Sequence, residues 1–504
     1  MMLDFTNPAQ YALVLLPEIV LSVWAMILLL VDVFQKGSRS GPSSSSIPRL
    51  AGVGVLLAAG ANTWLATLGT GPASAAIAMD GFRIFTNYVF LLAAAFFLVI
   101  STRYLDEEDM RLGELYVLVL FATVGMMVFA GSADLMLIFI GLELMSVPLY
   151  VLTGVNRRDA RSAEAALKYF LLGAFSSAFF LLGIALVFGA TGATNLAQIG
   201  VAVGVDGIGA SRLLVIGVAM LAVGFAFKVA AVPFHMWTPD AYEGAPAPIA
   251  GFMAAAVKAA AFAAFLRVFL TAFPGLYDTW NAIAVWLAVL TMISANLIAL
   301  VEGNVKRMLA YSSVAHAGYL LVALAWASAL GAASFLFYSL VYTIMTMGAF
   351  AVVIAVAGRH EQKLDLEAYA GLGWQRPLLG TVMTIFLLSL AGFPFTAGFI
   401  GKVFLLRAAV ERGLVLLAVV MVMASLLSYW YYLRVAWYMW FHDPDPAATA
   451  GPELAPGMKL ALTAAAIVVV LLGVAPGVLL NLAEQSAATL LRVPAATVGL
   501  LQIP

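Results

Sequence analysis

The chain has no cysteine among its 504 residues, only four histidines, and just 10% charged residues. The first absence excludes disulfides, thiolate-held iron-sulfur clusters, Cys-ligated zinc and thiol catalysis, so any redox chemistry tied to this chain happens elsewhere. The scattered histidines lack zinc spacing, and no glycine-rich loop follows a strand to cradle phosphate. The shortage of charge says most. With 64% apolar residues and a mean hydropathy of +1.04, there is too little polar surface to cover a water-soluble globule of this length. A net charge of -1 with no basic stripe gives no sign of nucleic acid binding.

What the chain has in quantity is long apolar runs. A bilayer core of about 30 Å needs about 20 apolar residues per helix, and open sheet edges cannot be satisfied in lipid. The pattern predicts an all-α integral membrane protein of about fourteen transmembrane helices, at 11–34, 50–70, 82–102, 114–131, 133–154, 163–190, 212–242, 248–272, 280–301, 308–328, 332–357, 378–408, 414–438 and 459–482. The first run carries Glu18 and Asp32 without a basic leader and is too long for a signal-peptide core, so it is expected to be retained. The polar stretches QKGSRSGPSSSSIPR, RYLDEEDMR, GRHEQKLDLEAYAGLGWQRP and FHDPDPAATAGPELAPG read as linkers. The expected organisation is a single membrane domain, 1–504, with three leading helices (11–102), two repeats (114–272 and 280–438) and a last helix (459–482).

Alternating the loops puts Lys36, Arg39, Arg49, Arg103, Arg111, Arg157, Arg158, Arg161, Lys306, Arg307, Arg359, Lys363, Arg376 and Lys459 on one side. The other side receives Arg83, Arg212, Arg267, Arg407, Arg412 and Arg492. The positive-inside bias makes the first side cytoplasmic and sends both termini outward.

Two spans are interrupted alike. VPF (232–234) follows Lys228 in the seventh, and FPF (393–395) precedes Lys402 in the twelfth. Proline removes a backbone donor and clashes with the preceding turn, so Pro233 and Pro394 are expected to open each helix beside a hydrated cavity. Spans four to eight and nine to thirteen form blocks of five, an odd number, which inverts the second block relative to the first. Inverted repeats with discontinuous helices at corresponding positions belong to transporters, with the ion path at the repeat interface.

Glu143, Lys168, Lys228, Lys258 and Lys402 lie within these apolar spans. A central charge costs about 2.5–3.5 kcal/mol to insert, so five together point to an ion or proton path. Each also has a plainer reading. Lys168 could snorkel to the interface near Arg161, Glu143 could be a buried neutral acid, and Lys228 could satisfy carbonyls freed by the break. As a network they make a switch. Low dielectric weakens a lysine's hold on its proton and a nearby carboxylate restores it, so moving Glu143 toward or away from Lys228 would set transfer, with Lys258 and Lys402 continuing the relay. His235, beside the first break, and His316, in SSVAHAGY, can hand protons on through water, or else be neutral imidazoles bonded to backbone carbonyls. Asp240 and Glu243 in TPDAYEGAPAP suit a helix cap better than a metal. The run SYWYYLRVAWYMW suits an interfacial aromatic belt.

Four blocks, KYFLLGAFSSAFFLLGIALVFGATG, KVAAVPFHMWTPDAYEGAPAPIAGFMAAAVKAAA, NVKRMLAYSSVAHAGYLLV and IFLLSLAGFPFTAGFIGKVFL, resemble the subunit N family of bacterial respiratory complex I, the proton-pumping NADH:quinone oxidoreductase. The similarity runs from the first span to the last. It implies an antiporter-like subunit of a bacterial plasma membrane that moves protons beside other complex I subunits without a cofactor of its own, leaving FMN, iron-sulfur clusters and quinone to its partners. It matches Glu143 to the fifth-helix glutamate, and Lys168, Lys228, Lys258 and Lys402 to the lysines of helices six, seven, eight and twelve. A lysine at 402 argues against the sister subunit M, and the missing long lateral helix argues against subunit L. The competing expectation is a cation/proton antiporter subunit without a redox partner. A self-sufficient solute carrier lacks a recognisable substrate pocket, and a scaffold subunit is the blandest alternative.

Overall fold

The computed structural model describes residues 8–36, 46–69, 71, 76–108, 110, 113–205, 211–443 and 454–491. Arg39, Arg111 and Arg492 of the sidedness argument, and most of the Ser-rich and Pro-rich linkers, lie outside these residues. The described chain is a bundle of helices with isolated β-bridges as its only extended pairing. In order the principal helices are α1 (Leu16–Lys36), α2 (Ser46–Thr67), α3 (Gly81–Glu107), α4 (Gly113–Gly131), α5 (Leu135–Thr153), α6 (Ala160–Thr191), α7 (Arg212–Lys228) and α8 (Trp237–Gly244). They continue with α9 (Ala247–Ala272), α10 (Tyr277–Val301), α11 (Val305–Trp326), α12 (Ala329–Ala357), α13 (Pro377–Ala391), α14 (Ala397–Glu411), α15 (Val415–Phe441), α16 (Pro456–Val474) and α17 (Gly477–Leu490). Twelve of the described helices are long and apolar enough to cross a bilayer, and the interrupted pairs α7–α8 and α13–α14 occupy the seventh and twelfth positions expected from the sequence.

Two corrections concern helix ends. The last span does not run to residue 482: Pro476, which cannot continue a helix, separates α16 from α17, and α17 lies against α3 and α12. Nor do the prolines themselves end the seventh and twelfth spans. The helices stop earlier, at Lys228 and Ala391, and the chain turns through left-handed Ala230, Gly392 and Phe395. Pro148, by contrast, sits inside an unbroken α5. Proline marks these interruptions, but the neighbouring turn makes them.

The two halves share a joint. Asp134 caps α5, pairs with Asn195 in an isolated bridge, and is framed by Leu135 N–H to Thr194 O and Leu196 N–H to Ala133 O. Asn304 caps α11 and pairs with Asp365, framed in the same register by Val305 N–H to Leu364 O and Leu366 N–H to Gly303 O. The interruption follows at α7–α8 in one half and at α13–α14 in the other.

Burial is graded from rim to centre. Only about a third of the hydrophobic stretches of α1, α2, α6, α15 and α16 is buried, as in lipid-facing helices, whereas those of α9 and α11 are completely enclosed. Small residues permit the closeness that helix association in lipid demands. Gly125 of α4 faces the backbone of Leu144 and Met145 in α5, and Gly141 of α5 faces that of Phe129 in α4. Gly125→Ala is therefore expected to destabilise by about 1–3 kcal/mol, as overpacking does, because backbone cannot swing aside. Thermal unfolding of the purified protein in detergent checks this, and an unchanged midpoint would refute the close contact.

Candidate functional site

The charged residues singled out from the sequence fall into two groups. On α5 the spacing of 143, 146 and 150 stacks Glu143, Ser146 and Tyr150 along one face, as 3.6 residues per turn requires. The half-buried Glu143 accepts a hydrogen bond from Ser177 Oγ of α6 at 2.5 Å. Lys228, 2% exposed at the carboxyl end of α7, donates to Ser146 Oγ at 2.8 Å and Tyr150 Oη at 3.4 Å. That helix end favours a cation. The direct approach of Glu143 to Lys228 is not seen: among the described residues no ion pair joins the two, Glu143 is held by Ser177, and Ser146 Oγ, which accepts from Lys228, donates to Leu142 O at 2.5 Å.

The second group is built on α11. Ser313, His316 and Tyr319 recur every three residues, so they climb one side of this enclosed helix by about 4.5 Å per step. Lys258 of α9, 2% exposed, donates to Ser313 O and, at 2.5 Å, to Ser313 Oγ. His316 is held by two tyrosine hydroxyls, Tyr338 on Nδ1 at 2.6 Å and Tyr432 on Nε2 at 3.1 Å, rather than by a backbone carbonyl. Tyr432 also meets Ser312. Lys402 of α14 lies 4.7 Å from the centroid of the Tyr319 ring and donates to Ala391 O at 2.8 Å. One helix therefore spaces Lys258, His316 and Lys402 through oxygen and ring contacts. Lys258, His316 and Lys402 face protein, not lipid, which accounts for their tolerance inside the membrane.

The breaks supply part of this chemistry. Phe227 O accepts from Trp237 Nε1, Val232 N–H donates to Thr291 Oγ1, Gly392 O accepts from Tyr429 Oη, and Gly398 N–H donates to Ser389 Oγ. Side chains, Lys402 among them, meet the backbone groups that were expected to face a hydrated cavity. His235 is half-buried in the first interruption, and its Nδ1 has no hydrogen-bond partner among the described residues, a condition under which water is recruited. It joins neither group.

Lys168 stands apart. It is 44% exposed and paired with Glu164 at 2.7 Å and Asp240 at 2.8 Å. Asp240 and Glu243 are not caps of α8 but acceptors for Arg307 of α11, at 3.4 and 2.5 Å, tying α8 to its neighbours. Among the described residues no three His, Asp or Glu side chains cluster as a metal site. The aromatic run near 430 divides by face. Trp430, Trp437 and Phe441 are exposed as a belt requires, but Tyr431 and Tyr432 are fully buried and bond Asn296 and His316.

Sequence reasoning missed the hydroxyl partners Ser146, Tyr150, Ser177, Ser313, Tyr338 and Tyr432. The pairs in SSVAHAGY and YWYYL were the available signal, since polar groups beside a buried histidine must be bonded to something. It also missed the π-helical turn Met253–Val257 immediately before Lys258, a distortion common at functional sites.

A multi-pass helical membrane protein with two similar halves, two interrupted helices and buried lysines hydrogen-bonded to oxygen is an antiporter-like membrane subunit in class. Residues 132–428 match the family described as NADH:quinone oxidoreductase/Mrp antiporter, transmembrane. NADH-quinone oxidoreductase subunit N of Trichlorobacter lovleyi is 47% identical over 474 residues, covering 94% of this chain and 96% of the relative, and subunit N 1 of Solibacter usitatus is 41% identical, covering 96% and 98%. A chain of respiratory complex I from Thermus thermophilus with bound aureothin superposes with a TM-score of 0.79 at 35% identity, covering 93% of this chain and 99% of that one. A chain of the Mrp complex from Dietzia sp. gives a TM-score of 0.80 at 21% identity over 98% of this chain and 100% of that one, a likeness of fold alone. The chain belongs to the subunit N group of the NADH:quinone oxidoreductase/Mrp antiporter transmembrane family.

Proposed function

We propose that the chain is a proton-translocating membrane-arm subunit of a respiratory NADH:quinone oxidoreductase, driven at a distance by quinone reduction in other subunits. The observation that carries this reading is the line on α11, where a fully enclosed helix spaces Ser313, His316 and Tyr319 between two buried lysines. Among the described residues the hydrogen bonds of Lys258 go to the two oxygens of Ser313, so its proton can leave through that hydroxyl. His316, with a tyrosine on each nitrogen, accepts on one side and donates on the other. Lys402 hands the proton to the outer exit. Glu143 and Lys228 act as the switching pair through space, because a shift of charge at Glu143 changes the field on Lys228 without contact. Lys168 and His235 are peripheral carriers.

No step here needs a cofactor in this chain: FMN, iron-sulfur clusters and quinone belong to companion subunits. The membrane this reading implies is a bacterial plasma membrane, as for the bacterial subunit N relatives, and the bias of Arg157, Arg158, Lys306 and Arg359 toward one side supports both termini facing outward. Its neighbours are other membrane-arm subunits. The identity to subunit N relatives over nearly the full chain favours this assembly over a cation/proton antiporter, whose likeness here is one of fold.

Purification from native membranes under mild detergent is expected to bring down flavin- and iron-sulfur-bearing chains with NADH:quinone activity. Recovery only with other antiporter-like chains would defeat the redox-driven reading.

A further inference from the structure

On the side bearing Arg158 and Arg161 the protein surface opens into a cavity of about 350 Å³. Its walls include Tyr104, Glu108, Asp159, Glu243, His360 and Glu361, a polar lining with room for several waters. We propose that this cavity is where protons enter the Lys258 line, with Glu361 as the loading carboxylate and the His360–Glu108 pair as the outer collector; the proposal rests on the proton-translocating reading above.

Three independent features converge on Glu361. First, its carboxylate joins the starts of the two enclosed helices: Oε1 accepts from Ala247 N–H of α9 at 2.7 Å, and Oε2 lies 2.5 Å from Lys306 Nζ of α11. Those are the helices whose Lys258 and Ser313 touch further in, eleven residues along α9 or about 16 Å. Second, the counter-charge is sealed. Lys306 is fully buried, its remaining bonds go to Glu243 O and Ala245 O, and Tyr104 Oη donates to Glu361 at 2.5 Å. This carboxylate, 11% exposed, lines the cavity while its counter-charge Lys306 is enclosed behind it, so Glu361 is where the cavity meets the buried starts of the two helices. Third, His360 and Glu361 both hold left-handed backbone (φ 59° and 49°), which side-chain-bearing residues rarely adopt and which gathers where function demands it.

The outer collector is geometrically distinct. His360 is 58% exposed, with Nδ1 3.1 Å from Glu108 Oε2, and its backbone N–H donates to the same carboxylate. A proton taken up by the imidazole therefore lies next to a buried acid that faces the same cavity as Glu361. Inward, Tyr242 of α8, next in sequence to the cavity-lining Glu243, is fully buried. No bond beyond O–H and N–H is made or broken, so the only species transferred is the proton.

The test compares variants of the assembled complex in inverted membrane vesicles, with NADH oxidation measured both coupled and uncoupled. Glu361→Gln keeps the acceptor for Ala247 N–H and Tyr104 Oη, gives up the bond to Lys306 and cannot load a proton, and is expected to lower proton translocation by roughly tenfold, with a larger solvent deuterium isotope effect. Glu361→Asp should restore part of it. Because Glu361→Gln also leaves Lys306 unpaired, the double variant Glu361→Gln/Lys306→Met removes both charges; it is expected to remain deficient. Recovery of pumping in the double variant would reduce Glu361 to a structural counter-ion and overturn the proposal. Normal pumping in Glu361→Gln while Lys258→Met fails would place the entrance elsewhere and leave the functional reading intact. Normal pumping in both would bring down the two together.

Discussion

Lys258→Met is expected to leave the complex assembled and to slow the proton-transfer step by about 10²–10⁴, the span that a positioned proton-transferring group contributes. The substitution keeps length and bulk, so the enclosure of α9 by its neighbours survives. Ser313 loses its donor, a cost of about 1–3 kcal/mol for an unsatisfied buried group, but the desolvation of a buried ammonium is relieved at the same time. Stability should change little while translocation collapses. Dye-quenching measurements of proton uptake in vesicles, normalised to NADH oxidation, report the loss, and a wild-type ratio would remove Lys258 from the path. Lys168→Met makes the comparison sharper. Its ammonium sits half-exposed between Glu164 and Asp240, touching neither group of the buried network, so its loss should reduce pumping far less.

The second large effect is structural. Arg267→Ala is expected to destabilise by about 3–5 kcal/mol, the cost of stripping one partner from a buried ion pair. Arg267, 4% exposed, grips Asp80 with two nitrogens at 2.6 and 3.0 Å and donates Nε to Ala130 O at 2.8 Å. Asp80 also caps α3 through Arg83 N–H, so the ion pair joins α9, α4 and α3. Burial alone would raise Asp80, but the Arg267 guanidinium, by charge and hydrogen bond, holds it below the usual carboxylate value. A folded-state value below the unfolded one means that this stabilisation is complete above the unfolded carboxylate value and disappears only as pH falls through the lowered folded one. At neutral pH the pair is therefore at full strength. Thermal denaturation should show a lower midpoint for Arg267→Ala, with partial recovery in Arg267→Met/Asp80→Asn, where no charge is stranded and the cap oxygen remains. Equal midpoints for the single variant and the wild type would refute the clamp.

How far the sequence reaches can be judged residue by residue. Lys258, Lys402 and His316 were legible because an ionisable side chain in a long apolar run is expensive enough to need a reason. The interrupted helices were legible through VPF and FPF, although their ends were misplaced by several residues, since the turn depends on Ala230 and Gly392 as much as on proline. Lys168 looked equivalent to the other lysines because hydropathy is one-dimensional. Only the packing of α6 at the rim, beside Asp240, separates it from them. Glu361, His360 and Lys306 carried no signal at all, lying in loops or at a helix start where charge is ordinary.

Composition and periodicity determined that the chain is a helical membrane protein with two matching halves and a set of ionisable groups inside it, because the lengths of apolar runs and the cost of charge in lipid are local properties of the chain. Which groups touch was decided by tertiary structure. Ser146 meets Lys228 while Ser177 meets Glu143, tyrosines from α12 and α15 grip His316, and Glu361 ties the starts of α9 and α11, because those partners lie from 22 to more than 100 residues away and a hydrogen bond forms only where packing brings donor and acceptor within about 3 Å.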